Sequence, residues 1–301
     1  SVFTSNNSLL GVAFSALVSG YQKTIRGLKL ALRTTAGRVG LPLVFLHITL
    51  TLFGSSLAPF EATELHLDNQ LEPPSGRFLL GTDEFGRDIL SRVMTGARSI
   101  ILVSVAGAVL GISLGTIVGM SSGFRGGRVD EIVMRVMDGL MSFPSLLIAL
   151  LVLTSLGSSQ VNIIATIGVV FTPTVSRVMR SITLSLKTQE FVLSARLRGE
   201  PTVYIIFREI LPNTIPVLAV EASVRLSYAI LLASSLGFLG LGVQPPSPDW
   251  GLMISESRRF ITVAPWVALS PAVAVASLVV GVNLFTDGLR QAQGLPKGDT
   301  S

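Results

Sequence analysis

Six stretches of roughly 20 mostly apolar residues, at 38 to 58, 99 to 121, 139 to 157, 161 to 179, 214 to 240 and 266 to 286, run through a chain of 301 residues. A helix needs about 20 such residues to cross the hydrocarbon core of a bilayer, where every backbone polar group must be satisfied within the segment. Composition agrees: 49% hydrophobic residues, 14% charged residues and a mean hydropathy of +0.65 exclude an ordinary soluble domain and a disordered chain. The expected fold class is an all-α integral membrane protein with six transmembrane helices. Only Gly157-Ser158-Ser159-Gln160 separates the third stretch from the fourth, which predicts a tight antiparallel hairpin.

The net charge of +5 acquires its meaning from where the basic residues fall. Of 23 Lys and Arg, sixteen lie on one alternating side of the six stretches and six on the other, namely Arg77, Arg87, Arg92, Arg98, Arg258 and Arg259, with Arg225 inside a stretch. The positive-inside rule then puts both termini and the segment 191 to 212 in the cytoplasm and turns the acidic stretch Glu61 to Asp88 outward. It also removes the argument for nucleic acid, since the positive charge follows the membrane. At the start of the chain, Leu9 to Val18 is too short to span and precedes its basic residues, so the reading expects no cleaved signal peptide. Lys23, Arg26, Lys29 and Arg33 alternate with Ile25, Leu28 and Leu32 at helical spacing, which suits a helix on an anionic membrane surface or charges that simply fix the first span.

Segment 191 to 212, FVLSARLRGEPTVYIIFREILP, is polar and basic between two apolar spans. Gly199 is expected to interrupt one short helix and Leu211-Pro212 to restart the next, giving a helix-turn-helix projection. Glu190, Arg196 and Arg198 offer it charged contacts, Leu197, Val203 and Phe207 apolar ones, and a rigid-body shift of the projection could tilt the spans it joins. An ordinary loop is the plainer alternative.

Within the membrane, Gly107, Gly111, Gly115 and Gly119 recur every fourth residue and predict a close-packing seam with a helix of this chain or of a partner. Glu221 and Arg225 stand four residues apart on one helix face, with Tyr228 close to it. A charge at the bilayer centre costs about 2.5 to 3.5 kcal/mol on insertion scales, so such residues face a partner or a wet path. Two readings stay open here: a translocation pathway for a zwitterionic or polar solute, or an internal ion pair that holds the bundle.

Between the first two spans, Gly81-Thr82-Asp83-Glu84-Phe85-Gly86-Arg87-Asp88 carries its own local logic. Thr82 or Asp83 is expected to cap a helix beginning near Glu84, and Arg87 to pair with Asp83 or Asp88. This block resembles the GTDxxGRD signature of the ATP-binding-cassette (ABC) importer permeases of the dipeptide, oligopeptide and nickel family. Phe238 to Pro246 followed by Asp249-Trp250-Gly251 is similar to their loop after the fifth helix, and Ala264-Pro265-Trp266 through Asp287-Gly288-Leu289-Arg290 to their last helix. Segment 191 to 212 corresponds to their EAA loop, with Leu193-Ser194-Ala195 in place of Glu-Ala-Ala and the spacing from Gly199 to Leu211-Pro212 kept.

The resemblance implies a type I ABC importer permease fold with a cytoplasmic coupling helix around Ser194 to Val203, in a prokaryotic inner or plasma membrane. Residues 1–37 would be a cytoplasmic amphipathic segment, 38–97 the first span and external loop, 98–290 the permease domain and 291–301 a cytoplasmic tail. It also implies ATPase-coupling residues Glu190, Ser194, Ala195, Arg196, Arg198, Gly199, Leu211 and Pro212. The implied partners are a second homologous permease, two subunits that bind ATP and Mg, an extracytoplasmic solute-binding protein and membrane lipid. The implied cargo is a peptide or related small solute.

Several chemistries are excluded by residue type. No GxxxxGK[ST] cradle accompanies any of the four lysines, so the chain is expected to hold no ATP and no other cofactor itself. The cluster Gly123 to Arg128 reads as a basic turn at a helix end. With no cysteine and with only His47 and His66, neither a thiolate site, an HExxH zinc pair nor a catalytic histidine is expected, and His47 reads as a packing residue. An ATP-independent channel or secondary transporter is the alternative function, although no internal repeat supports it; a scaffold without transport is a third.

Overall fold

The computed structural model describes Leu32 and residues 34 to 292. Residues 1 to 31 and Arg33, which hold all the basic residues of the Lys23 to Arg33 segment, and residues 293 to 301 of the tail lie outside the described residues. The long helices are α1 (Thr35–Leu57), α2 (Ile89–Arg125), α5 (Gln160–Leu186), α7 (Thr202–Phe238) and α9 (Pro265–Ala292). Shorter ones are α3 (Gly127–Met141), α4 (Ser145–Leu156), α6 (Glu190–Leu197) and α8 (Trp250–Ser257). Among the described residues there is no strand, only an isolated antiparallel bridge between Thr82 and Asp88.

Among the described residues five helices are long and apolar enough to cross a bilayer, and a sixth span results if α3 and α4 count as one. The expected third span, 139 to 157, is therefore not a straight helix: α3 and α4 meet at 86° across Ser142-Phe143-Pro144. Pro144 has no N–H to give to a preceding turn, and it sits with extended backbone at the start of α4. At 12 residues α4 is about 18 Å long, short of a full crossing. The turn at Gly157 to Ser159 does return the chain directly into α5.

Contacts divide the chain into residues 46–279 and a smaller unit of residues up to 45 together with those from 280, so α1 and α9 each run through both. In the smaller unit the two helices touch backbone to backbone: a Cβ on Gly40 would lie 2.2 Å from the Phe285 amide nitrogen, and one on Gly288 2.7 Å from Gly37 Cα.

In the larger unit the glycine row of α2 lies against α5. A Cβ on Gly111 would come within 2.9 Å of the Gly168 carbonyl oxygen, and one on Gly119 within 2.2 Å of the Ser176 carbonyl oxygen. Removing side chains from one helix face lets dispersion contacts form between main chains, which is the driving force available where lipid is as apolar as the interface. The seam thus joins two helices of this chain. Beyond it, α7 packs on α2 and α5, α8 lies between α7 and α2, and α3 runs along α5.

Candidate functional site

At the end of the bundle where α2 stops, α6 leaves α5 and returns into α7. Its terminus is a Schellman turn: Glu200 N–H donates to Ala195 C=O at 3.2 Å and Gly199 N–H to Arg196 C=O at 2.9 Å, with Gly199 at φ +76°. Pro201 and Thr202 restart the helix, not Leu211-Pro212 as the spacing predicts, and both of those residues lie inside the continuous α7. Ile205–Ile210 are wound as a π turn, with Leu211 N–H donating to Ile206 C=O. This wider turn ends just before Pro212, so the missing proline N–H falls where the regular ladder has already been interrupted.

The two faces of α6 differ. Val192 and Ala195 are fully buried in an apolar cluster with Met120 of α2, Val175 and Met179 of α5, and Ile205, Ile206 and Ile210 of the π turn. Ala195, expected as a coupling contact, therefore has no outer surface and acts, if at all, through this packing. Glu190, Leu193, Ser194, Arg196 and Arg198 are exposed, and Leu197 is 90% exposed. Arg198 pairs with Glu209 at 3.4 Å and approaches Glu200 at 3.8 Å, while the Arg196 guanidinium lies 4.6 Å over the Phe124 ring. Val203 and Phe207 of α7 extend the exposed apolar surface.

In α7, Arg225 Nε donates to Glu221 Oε2 at 2.9 Å. Its guanidinium lies 5.7 Å from the Tyr228 ring and 5.9 Å from Phe171 of α5. Both charged side chains are about one-seventh exposed, at 15% and 14%, while Tyr228 is 55% exposed. The i, i+4 pair was legible in the sequence; the ring contributed by α5 was not.

At the other end, the loop before α2 closes on itself. Asp88, rather than Thr82 or Asp83, is the N-cap, and the helix begins at Ile89: Ser91 N–H and Oγ–H donate to Asp88 Oδ2 at 2.8 and 2.6 Å. Asp83 instead accepts from the Phe85 and Arg87 amides at 2.9 and 3.0 Å and from Arg87 Nε at 2.6 Å. Thr82 Oγ1 accepts from Glu72 N–H at 2.8 Å and donates to Asn69 C=O. Gly86 has φ +75°, and a Cβ there would sit 1.9 Å from the His66 carbonyl oxygen. Gly81 lies beside the Trp266 indole.

The segment between α7 and α9 docks into the same end. Trp250 is fully buried and donates its indole N–H to Val93 C=O at 2.9 Å. His47 is buried too, edge-on to Trp250 at 6.0 Å and 3.3 Å from Ala274 C=O, as expected of a packing residue. Asp249 caps α8, accepting from Leu252 N–H at 2.9 Å and Val243 N–H at 3.3 Å. Burial pushes its carboxyl above the usual carboxylate value against the pull of those donors. Glu256, 3.9 Å from Arg87, is raised by burial and by the Glu84 charge, with Arg87 and Arg92 opposing.

Two pairs escaped sequence reading. Arg180 makes a bidentate contact to Asp130 at 2.7 and 2.6 Å, and Arg177 Nη2 reaches Asp138 at 2.7 Å, so α3 is clamped along α5. Beside them Lys187 Nζ donates to Gly123 C=O at 3.0 Å, neutralising the last turn of α2. The only available signal was the spacing of Asp130 with Asp138 and of Arg177 with Arg180, each near one helix face. An open crevice of about 100 Å³ at the α3–α4 bend is lined by Met141, Phe143, Val169 and Pro173. Among the described residues no group of His, Cys, Asp and Glu could hold a metal ion.

A helical bundle with several membrane-crossing lengths, a two-faced helical projection at one end and a docked loop knot at the other defines a multi-pass membrane protein. Comparison with known proteins gives the particular family. Residues 111–294 match the model described as binding-protein-dependent transport system inner membrane component, and the chain belongs to that family. It is similar to the dipeptide transport system permease protein DppC of Alkalihalophilus pseudofirmus, 37% identical over 91% of this chain and 90% of the relative. The di/tripeptide transport system permease protein DppC of Pseudomonas aeruginosa is 39% identical over 84% of this chain and 86% of the relative. A glutathione transport system permease protein, GsiD of Pectobacterium atrosepticum, is 37% identical over 83% of each chain.

Proposed function

We propose that this chain is the permease subunit of an ATP-driven importer of di- or oligopeptides or related small solutes. It pairs with a second, homologous permease and with two subunits that bind ATP and Mg, and it receives cargo from an extracytoplasmic solute-binding protein. Both termini and α6 face the cytoplasm in this reading, supported by the sixteen-to-six bias of Lys and Arg. The chain itself then performs no catalysis and binds no nucleotide or nucleic acid.

The observation that carries the proposal is the two-faced α6. Its outer face, with Leu197, Ser194, Arg196 and Arg198, is the handle for an ATPase subunit, and its inner face is packed among residues of α2, α5 and α7. A push on the handle reaches three long helices without passing through a flexible loop, because protein interiors are close-packed and transmit displacement. Glu221, Arg225 and Tyr228 line the path that opens and closes in response, and the Asp83, Arg87 and Glu256 end forms the surface met by the binding protein.

Purification from native membranes tests the reading. An ATPase should copurify, and vesicles holding the complex and the binding protein should take up dialanine only with ATP inside the cytoplasm-equivalent compartment. Accumulation against a gradient by the isolated chain would instead favour the channel or secondary-transporter alternative.

A further inference from the structure

Arg225 is held from one side only. Its Nε is taken by Glu221 at 2.9 Å and its face is braced by Tyr228 and Phe171, yet neither Nη nitrogen donates a hydrogen bond to any of the described residues. Nor are those nitrogens sealed in the interior, since the side chain keeps 15% exposure. Within the apolar stretch 214 to 240, Glu221 is the eighth residue and Arg225 the twelfth, so the guanidinium lies inside the span and not at its edge. A guanidinium there with two unclaimed donors is costly unless something anionic meets it.

The geometry also limits what that is. A planar fork with both Nη groups free matches the two oxygens of a carboxylate end-on, in the bidentate geometry that lysine cannot reproduce. Glu221 at the Nε side keeps the local net charge near zero, which disfavours capture of a multiply charged anion and suits brief contact with a singly charged one. The exposed Tyr228 ring beside the fork gives an apolar surface with a hydroxyl for the adjoining residue of the ligand.

We propose that Arg225 is a specificity-determining residue of the translocation path that takes the free α-carboxylate of a peptide in transit, Glu221 orienting the guanidinium and compensating its charge between passages. This inference rests on the pathway reading above.

The test uses the full complex with its binding protein and ATPases, and dialanine against dialanine C-terminal amide at saturating concentrations. Comparing the acid-to-amide ratio of maximal uptake rates between the native permease and Arg225→Gln cancels the binding protein's own preference, which is common to both. Removing a charge-assisted hydrogen bond to the peptide in transit should lower that ratio about tenfold. An equal fall for both peptides assigns Arg225 to holding the bundle or the paired permease and overturns the proposal, as does no fall at all.

Where Arg225→Gln does not assemble or the amide is not carried, cysteine supplies the second route, because the chain contains none. In Arg225→Cys, an ammonium-bearing methanethiosulfonate should restore dialanine uptake severalfold and a sulfonate-bearing one should not. Restoration by both or by neither overturns the proposal. Tyr228→Cys separates the wet path from the carboxylate contact. A thiol at 228 that no aqueous reagent reaches removes the wet path and this inference with it. A reactive thiol at 228, combined with indifference to charge at 225, removes the inference alone.

Discussion

Gly86 and Gly199 adopt nearly the same left-handed backbone, at φ +75° and +76°, in opposite surroundings. Around Gly86 the chain is knotted: a Cβ would lie 1.9 Å from His66 C=O, Asp83 and Thr82 are bonded to backbone within the loop, and Asp88 to backbone in the first turn of α2. Around Gly199 a Cβ would meet nothing within 4 Å, and the residues beside it project Leu197 outward. The same turn chemistry thus serves a closed, internally satisfied end and an open end that leaves apolar surface for another protein. The lesson is that a positive φ tells where the chain turns, and only the space around it tells whether the turn is finished within the chain.

Breaking the closed end should have the largest effect. Gly86→Ala adds a main-chain clash to an unfavourable φ and should cost more than about 3 kcal/mol, visible as loss of the folded subunit or a large fall in Tm in detergent. Next comes Leu197→Glu at the open end. It should leave Tm unchanged but cut ATP-coupled uptake about tenfold, as expected when a well-packed interface anchor worth about 1.4 kcal/mol or more is removed; normal uptake with a lower Tm would mean that Leu197 packs within the chain.

Gly199→Ala isolates the conformational part of the comparison. With space available, only the strained φ counts, about 1 kcal/mol, so Tm should drop by a few degrees at most and far less than for Gly86→Ala. Equal drops would erase the distinction between the two turns.

The smallest effect is a pH dependence at the closed end. Burial raises the Asp249 pKa in the folded chain, so the folded state holds that proton more tightly than the unfolded one. The associated stability is complete below about pH 4, the unfolded value, and is lost as pH rises through the raised folded value. Asp249→Asn should flatten this part of the Tm–pH curve by about 2 °C; an unchanged slope would place the titration elsewhere, with Glu256 the next candidate.

How much of the molecule is legible in its sequence varies with the range of the interaction. Local periodicity was sufficient for five of the six spans, the glycine row and the Glu221–Arg225 pair, because each repeats at helical spacing. It failed at prolines. Pro42, Pro173, Pro216 and Pro271 lie within helices, while Pro144 and Pro201 each stand just before the start of one, and nothing in the neighbouring residue types separates the two outcomes. What separates them is context: Pro212 is accommodated by the preceding π turn, a device with no sequence signature. The Asp130–Arg180 clamp was invisible for a different reason, since its partners stand 50 residues apart and only the packed bundle pairs them.

The glycine row has one more consequence. With Gly111 and Gly119 allowing the α2 main chain to press against Gly168 and Ser176 of its neighbour, and Gly107 and Gly115 seating Ile167 and Val175, the α2 side of the seam has no side chains of its own to repack at these four positions. Such close packing favours their moving as one plank. Flexing must then concentrate where that plank is hinged to the rest, at the Phe143-Pro144 elbow and at the Arg198 to Pro201 bend.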